Sequence, residues 1–212
     1  MANAPRFLMR QCVQPSCRFR FPVPAASRKG EECPRCGAAT YAATEPFSGH
    51  RPEPSGSGAG PAVEALLDNV RSILNVGSIF RTADGAGIRP LHLCGITATP
   101  DHPKLAKTAL GAETAVPWRY NSNGVDAAEA LKAGGRQLWA LESSGQSDAL
   151  FDIQPDPAGA PIVLVVGHER AGVDPGILTL CDRVLHIPMQ GVKASLNVAT
   201  AFGIAAYYLR FG

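Results

Sequence analysis

Four cysteines near the amino terminus are spaced like the ligands of a metal ion. Four residues separate Cys12 from Cys17, two separate Cys33 from Cys36, and fifteen lie between the pairs. Four thiolates in two short loops suit the tetrahedral coordination of a structural Zn²⁺, and such a closed site leaves no position for catalysis. Two disulfide bonds are the alternative, but they would not persist in a reducing cytosol. The spacing therefore predicts a structural zinc site.

A second group of polar residues opens the last long apolar stretch of the chain. Residues Leu196–Leu209 are apolar on every face of a predicted helix, which must be covered by a core or by a second subunit. Ser195 is placed to cap this helix, while Asn197 and Thr200 are three residues apart and share a face. The positive end of the helix would face the preceding loop. We therefore predict a ligand site around residues 189–194.

Three motifs follow one another along the chain. They read NVGSIFRTADGAG at residues 75–87, VVGHERAG at residues 165–172 and IPMQGVKASLNV at residues 187–198. Together they resemble the motifs of the SpoU branch of the SPOUT RNA methyltransferases, and the resemblance covers most of residues 62–210. It implies an enzyme that uses S-adenosylmethionine to methylate a ribose 2′-hydroxyl in tRNA or rRNA. It also implies a homodimer and a C-terminal trefoil knot that holds the cofactor.

The same resemblance gives roles to individual residues. A ribose hydroxyl is a poor acid, so methyl transfer to it needs a positive or proton-accepting group beside the oxygen. SpoU-like proteins use the arginine that matches Arg81 at this hydroxyl and the adjoining phosphate, and a protonated guanidinium would stabilise the developing alkoxide. The catalytic residues implied by the resemblance are Arg81, Asn75, Glu169 and Asn197. The implied cofactor-binding residues are Leu141, Gly167, Ile187, Ser195 and Leu196.

Three of the motif residues have a second interpretation. Asn75 is expected to cap the first helix of the main domain, in addition to orienting Arg81. Gly167 ends an apolar strand, where a glycine would let a ligand approach the backbone closely. His168 stands where the family commonly has asparagine. A hydrogen-bonding replacement for asparagine is the simpler interpretation, and a general-base role is the alternative.

Alternating apolar runs and helical stretches must position these residues. The predicted strands are Ala62–Leu67, Leu91–Ile96, Gln137–Leu141, Ile162–Val166 and Val184–Ile187. The predicted helices are Asn75–Ala86, Val125–Ala133, Pro175–Leu180 and Leu196–Arg210. This alternation predicts an α/β fold with a mostly parallel sheet covered on both faces. A Rossmann domain would place its glycine motif after the first strand, but no glycine follows there until Gly77.

Composition divides the chain into two domains. We predict a zinc-ribbon-like domain at residues 1–47, a flexible Gly-, Ser- and Pro-rich linker at 48–61, and a SpoU-type methyltransferase domain at 62–212. Residues 1–51 contain eight basic and three acidic residues, a net charge of +5, whereas the remainder carries −3. The basic segment is therefore the better candidate for capturing a polyanion, unless its charges are simply solvated.

Side chains in both predicted domains could contact RNA. Phe19, Phe21 and Tyr41 interleave with Arg18 and Arg20, and could stack on unpaired bases, although packing of a small core is the alternative. In the main domain, two lysines and a threonine could meet phosphates together or form a solvated helix face. These are Lys104, Lys107 and Thr108.

No apolar run approaches the roughly 20 residues that span a bilayer, and the first residues lack the apolar core of a signal peptide. We therefore expect a cytoplasmic protein without a membrane partner.

Two other functions remain open from the sequence. One is a catalytically inactive zinc-ribbon protein that binds RNA. The other is a knotted methyltransferase that acts on a base rather than on a ribose.

Overall fold

The computed structural model describes residues 6–27, 29–48, 60–143, 145 and 147–212. The chain divides into two compact units, Met1–Gly56 and Ser57–Gly212. Most of the predicted linker, residues 49–59, lies outside the described residues.

The first unit is a small antiparallel sheet with a central strand. Its strands are β1 (Arg6–Cys12), β2 (Arg20–Pro24), β3 (Thr40–Ala42) and β4 (Phe47–Ser48). Strand β1 pairs with β2 along one edge and with β3 and β4 along the other. Among the described residues of this unit, only Cys12, Val23, Cys33 and Thr40 are buried. The unit therefore has almost no hydrophobic core.

The second unit is built on a seven-stranded sheet. Its strands are β5 (Val63–Asp68), β6 (Leu91–Cys94), β7 (Trp118–Asn121), β8 (Gln137–Leu141), β9 (Asp148–Ala149), β10 (Ile162–Val166) and β11 (Arg183–His186). Their order across the sheet is β7-β6-β5-β10-β8-β11-β9, and every pairing is parallel. All carboxyl ends of these strands therefore meet at one edge.

Helices cover both faces of this sheet. They are α1 (Ile73–Ala86), α2 (Ala106–Ala109), α3 (Ala112–Ala115), α4 (Gly124–Ala133), α5 (Pro175–Leu180) and α6 (Val198–Phe211), with a 3-10 turn at Leu150–Asp152. Alternate residues of β10 point to opposite faces. Leu164 packs in the core with Phe80 of α1 and Phe202 of α6, while Val163 packs with Leu131 of α4. The predicted α/β fold with a parallel sheet is confirmed, and the trefoil knot stays a prediction.

The two long helices begin at different residues from those predicted. Helix α1 is capped by Ser72, whose backbone is extended and whose Oγ accepts a hydrogen bond from the Asn75 amide at 3.4 Å. The predicted cap at Asn75 is therefore wrong. Helix α6 is capped by Asn197, so the cap predicted at Ser195 is also wrong. Apolar Leu196 suggested an earlier start, but it lies in the preceding loop.

Helix α6 has one buried side and one exposed side in the single chain. One side is buried through residues such as Phe202 and Leu209, whereas Tyr207 and Phe211 are exposed. Among the described residues, no helix combines the length and apolar character needed to cross a membrane.

Candidate functional site

The first unit brings its four predicted metal ligands together. Their sulfurs all lie within 4.8 Å of one another, with Cys12 Sγ 3.5 Å from Cys36 Sγ and Cys17 Sγ 3.8 Å from Cys33 Sγ. A tetrahedral zinc with Zn–S bonds of about 2.3 Å holds its sulfurs roughly 3.8 Å apart. All four cysteines are free thiols, so the disulfide alternative is not adopted. The donor set and spacing fit a structural zinc ion.

Backbone amides support two of these sulfurs. The Gln14 amide donates to Cys12 Sγ at 3.4 Å, and the Arg35 amide donates to Cys33 Sγ at the same distance. Each amide lies two residues after its cysteine, in the first loop and the second loop respectively. Such hydrogen bonds to the ligand atoms fix their orientation and favour the thiolate form that a metal requires.

The second unit contains a cavity of about 330 Å³ at the carboxyl edge of its sheet. Loops that follow β8, β10 and β11 form the walls, together with the start of α6. All five predicted cofactor-binding residues line it, as do Glu169 and Asn197 from the predicted catalytic set. The five are Leu141, Gly167, Ile187, Ser195 and Leu196. A volume of this size falls in the range typical of small-molecule sites.

Glu169 begins a chain of hydrogen bonds that joins the starts of α1 and α6 beside this cavity. Its carboxylate accepts hydrogen bonds from the amides of Arg71 (3.1 Å) and Ser72 (2.9 Å) and from Asn75 Nδ2 (2.9 Å). Asn75 Oδ1 in turn accepts a hydrogen bond from Asn197 Nδ2 at 3.1 Å. Three of the four predicted catalytic residues therefore form one chain of hydrogen bonds.

This network also sets the ionisation of Glu169. Partial burial alone would raise the pKa of its carboxyl group. The hydrogen bonds that it accepts from its own amide, the amides of Ser72 and Arg71 and the Asn75 side chain outweigh this effect and lower the pKa. The carboxylate therefore stays ionised at neutral pH, and its negative charge lies at the positive end of α1.

Asn197 fixes the beginning of α6 at the same point. Its Oδ1 accepts hydrogen bonds from the amides of Ala199 (3.0 Å) and Thr200 (3.3 Å), while its Nδ2 is the donor to Asn75. One side chain thus caps α6 and ties it to α1. The amide group is held in a single orientation because both ends of it are used.

Glu142 is a cavity residue that the sequence did not indicate. It follows β8, and its Oε2 accepts a hydrogen bond from the Val173 amide at 3.0 Å. It therefore fixes the loop after β10 from the neighbouring strand. The only signal was its position after an apolar strand, which could have marked the carboxyl edge of a parallel sheet.

Gly167 has no room for a side chain. A Cβ atom on it would lie 2.3 Å from the backbone of Gly172 and 2.4 Å from the Val173 amide nitrogen. The loop closes against this glycine through a bridge between His168 and Gly172. The close neighbour that excludes a side chain is thus the protein's own backbone, while the predicted approach of a ligand to the Gly167 backbone stays a prediction.

His168 organises the same loop. Its Nδ1 accepts hydrogen bonds from the amides of Arg170 at 3.0 Å and Ala171 at 3.1 Å. This nitrogen is therefore unprotonated and occupied, and a neutral ring carries its proton on Nε2. The geometry matches an acceptor that replaces an asparagine side chain and forms a turn.

Arg81 lies outside the cavity wall. It is exposed on α1, six residues after Asn75 and so about 9 Å farther along the helix. The structure therefore does not bring it into direct contact with the other three predicted catalytic residues. The short helix α2 packs on α1 through Thr108, which lies against Gly77, and leaves Lys104 and Lys107 exposed.

The fold and the cavity together define a parallel α/β protein with a small-molecule site at the carboxyl edge of its sheet. Residues 62–207 match the family described as SpoU rRNA Methylase. The chain belongs to this family.

Individual relatives agree with this placement. The chain is 34% identical over 145 residues to the 23S rRNA (guanosine(2553)-2′-O)-methyltransferase RlmP of Bacillus subtilis, covering 68% of this chain and 56% of the relative. It is 37% identical over 146 residues to a 23S rRNA (guanosine-2′-O-)-methyltransferase RlmB from Burkholderia, covering 66% and 56%. The chain thus spans little more than half the length of these curated relatives.

A solved structure shows the same fold with a ligand. An rRNA methyltransferase from Sinorhizobium meliloti, solved with AdoMet bound, superposes with a TM-score of 0.66 at 32% identity. The match covers 71% of this chain and 56% of that one. The SpoU methyltransferase AviRb from Streptomyces viridochromogenes, in complex with AdoMet, gives a TM-score of 0.61 at 30% identity over 71% of this chain and 57% of that one.

Proposed function

We propose that the protein is an S-adenosylmethionine-dependent methyltransferase that modifies a ribose 2′-hydroxyl in rRNA or tRNA. The observation that carries this proposal is the cavity itself, which all five predicted cofactor residues line and which the Glu169–Asn75–Asn197 network borders. Relatives named as ribose 2′-O-methyltransferases and similar structures with bound AdoMet support it.

The charges of the cavity suit a sulfonium cofactor. Two carboxylates, Glu142 and Glu169, line it together with one arginine, Arg170, so the formal charge of its walls is negative and favours a bound cation. Leu141, Ile187 and Leu196 supply apolar surface for a flat ring, and the loop backbones supply hydrogen-bonding groups. The cofactor provides the electrophilic methyl group, and the protein's residues hold it and exclude water.

We assign the ribose to the surface between the cavity and the exposed face of α1. Asn75 lies in the first turn of α1 and bonds to the cavity residue Glu169, and Arg81 lies about 9 Å farther along the helix. A guanidinium here would bind the adjoining phosphate and stabilise negative charge on the ribose oxygen as its proton leaves. Glu169 acts as a positioning residue because it fixes the start of the helix that carries both side chains.

We also propose a homodimer that uses the exposed side of α6. Tyr207 and Phe211 form a tilted aromatic pair with ring centroids 5.5 Å apart, and both are exposed. Covering such a pair with a second copy would remove apolar surface from water.

Sedimentation velocity tests the dimer. The wild type should sediment as a dimer that dissociates in Tyr207→Glu, while Tyr120→Glu on the edge strand β7 should leave it intact. A monomeric wild type would contradict this proposal.

We assign the first unit to RNA capture, with zinc as its structural metal. Its boundaries in this proposal are 1–47 for the zinc-ribbon-like domain, 48–61 for the linker and 62–212 for the methyltransferase domain. Thiols placed at metal-binding distance rather than in disulfides suit a reducing compartment, so we place the protein in the cytoplasm.

Calorimetry combined with kinetics tests the proposed site. Titration of S-adenosylmethionine into the wild type should give one binding site per chain, and Arg81→Ala should bind it with affinity within about twofold. Methyl transfer to RNA should fall at least about a hundredfold in Arg81→Ala, as for loss of a residue that stabilises developing charge.

Arg119→Ala is the matched control. Arg119 is an exposed arginine on β7, an edge strand separated from the cavity strands, so its loss should leave turnover unchanged. A wild type that does not bind the cofactor would favour an inactive RNA-binding protein. Methyl groups found on a base would favour the base-modifying alternative.

A further inference from the structure

The sheet of the first unit has two unlike faces. Residues paired across antiparallel strands project from the same face, and successive residues alternate. Arg10 is paired with Phe21, and Cys12 is paired with Thr40, so these residues share one side with the metal ligands. Gly30 lies against Phe21 and Val23 and brings a loop over this side. We call it the cysteine face.

The opposite side, which we call the open face, carries Phe7, Met9, Gln11, Arg20, Tyr41 and Phe47. Phe7 is paired with Phe47 across β1 and β4, and Gln11 is paired with both Arg20 and Tyr41. None of these six side chains is buried, and the exposed fractions of Tyr41 and Phe47 are 48% and 43%. The register therefore gathers three aromatic rings on one uncovered surface.

The aromatic rings of the open face occupy two positions. The Phe7–Phe47 pair and Tyr41 are four residues apart along β1, which corresponds to about 13 Å. Gln11 and Arg20 lie beside Tyr41 and offer an amide and a guanidinium. Rings of this kind stack on unpaired bases, and neighbouring polar groups can contact base edges or phosphates.

The charge of the unit complements a polyanion. Its described residues include six cationic side chains and three glutamates, a net charge of +3. The cations are Arg6, Arg10, Arg18, Arg20, Lys29 and Arg35. Every ion pair found among the described residues lies in the second unit. None of these six described cations is therefore paired with a described carboxylate, and their net charge attracts phosphates.

We propose that the open face is a stacking platform for unpaired nucleotides of the RNA substrate. This inference rests on the proposed function, since it takes RNA as the substrate. It differs from the expectation that Phe19, Phe21 and Tyr41 act together. Phe19 stacks on Phe21, with ring centroids 5.7 Å apart, and Phe21 belongs to the cysteine face. Tyr41 instead joins Phe7 and Phe47.

RNA binding by the full chain with zinc bound tests the platform. A short labelled single-stranded RNA and its duplex are titrated in a fluorescence anisotropy assay against the wild type and a Tyr41→Ala/Phe47→Ala variant. Base–aromatic stacking contributes about 1–3 kcal/mol per base, so the double variant should bind the single strand at least about tenfold more weakly. Duplex binding should change by less than about twofold, because paired bases do not expose their faces to the rings.

Two control variants isolate the role of the rings. Tyr41→Phe keeps the aromatic ring and should bind the single strand like the wild type. Phe19→Ala removes a ring from outside the open face and should change affinity by no more than about twofold. Zinc content is measured for every variant, so that only folded first units are compared.

Other outcomes would contradict either the platform or the proposed function, and they can be told apart. Unchanged single-strand affinity in the double variant would overturn it, and so would equal losses for single strand and duplex. If the double variant instead changed self-association in sedimentation velocity without changing RNA affinity, the open face would be an interface between copies. If the double variant kept both methyl transfer and RNA affinity, only the platform would be contradicted. If the wild type bound RNA through stacking but neither bound the cofactor nor transferred methyl groups, only the proposed function would be contradicted.

Discussion

The two units of this chain reach a folded state by different physical means. The second unit buries two hydrophobic clusters, one on each face of a parallel sheet. In the first unit, two of the four buried residues among those described are cysteines, Cys12 and Cys33. A unit of about fifty residues with so little apolar burial needs another source of stability, and a zinc ion held by the four cysteines would supply it. One chain can therefore combine a unit that is stabilised by its hydrophobic core with a unit whose fold depends on a metal ion.

Removal of zinc should reveal the largest difference in stability between the two units. Metal binding supplies about 10–16 kcal/mol in small zinc domains, so a strong chelator should unfold the first unit completely. Residues 62–212 should keep their thermal transition, because no described cysteine cluster of that region could hold a metal. Limited proteolysis and differential scanning calorimetry with and without chelator measure both effects.

Cysteine variants provide the matched control for this experiment. Cys17→Ser should reproduce the effect of the chelator, whereas Cys181→Ser in the second unit should not change zinc content. A first unit that resists proteolysis without metal would show that its fold does not depend on zinc.

Replacing a phenylalanine by alanine should greatly lower the stability of the second unit but hardly change that of the first. Phe80 is fully buried in the core, so Phe80→Ala should lower the free energy of unfolding of the second unit by about 3–5 kcal/mol. Phe47 is exposed, so Phe47→Ala should change stability by less than about 0.5 kcal/mol. Urea denaturation of the zinc-loaded protein measures both. Similar losses in the two variants would contradict the proposed difference between the units.

Loss of Glu169 should lower stability less than loss of Phe80 does. It should also slow methyl transfer, because Glu169 holds the start of α1 beside the cavity. Glu169→Ala removes three hydrogen bonds at the start of α1 and should lower the free energy of unfolding of the second unit by about 1–2 kcal/mol. Glu129 is an exposed carboxylate on α4, and Glu129→Ala serves as the control. If Glu169→Ala transferred methyl groups as fast as the wild type, Glu169 would have no positioning role.

The pH dependence of Glu169 should give the smallest effect. Its pKa is lower in the folded than in the unfolded protein, so its contribution to stability is present above the ordinary carboxyl pKa and is lost as pH falls through the folded pKa. The stability difference between wild type and Glu169→Gln should therefore be largest above the ordinary carboxyl pKa and should shrink as the pH falls below it. Buried Asp68, whose pKa is raised by burial, is common to both proteins and cancels. A constant difference would show that the charge does not matter.

Local patterns were sufficient to predict much of the second unit. Ile162–Val166 is uniformly apolar and forms a strand with those bounds, and Asp174 before Pro175 caps a helix that ends at Leu180 as predicted. Strand β7 was missed because its sequence, WRYN, is short and polar at an edge of the sheet. Its alternation was too brief to be distinguished from a loop.

The candidate site could be predicted mainly where a motif spans it. Residues of the second and third motifs line the cavity, whereas the first motif contributes Asn75 to the hydrogen-bond network beside it. Glu142 lies outside the motifs, and its bond to Val173 depends on which strands are neighbours. The hydrogen bond between Asn75 and Asn197 joins residues far apart in sequence, so no local pattern encodes it. The open face was also hidden, because the pairing of Phe7 with Phe47 depends on strand register.

The most direct measurement uses S-adenosylmethionine with a deuterated methyl group. Protein with zinc bound is incubated with this cofactor and total RNA from cells that lack the protein, and the RNA is digested to nucleosides for mass spectrometry. We predict a labelled methyl group on the ribose of a single nucleotide type, and its loss in Arg81→Ala. Label on a base, or RNA without label although the cofactor binds, would contradict ribose 2′-O-methylation by this protein.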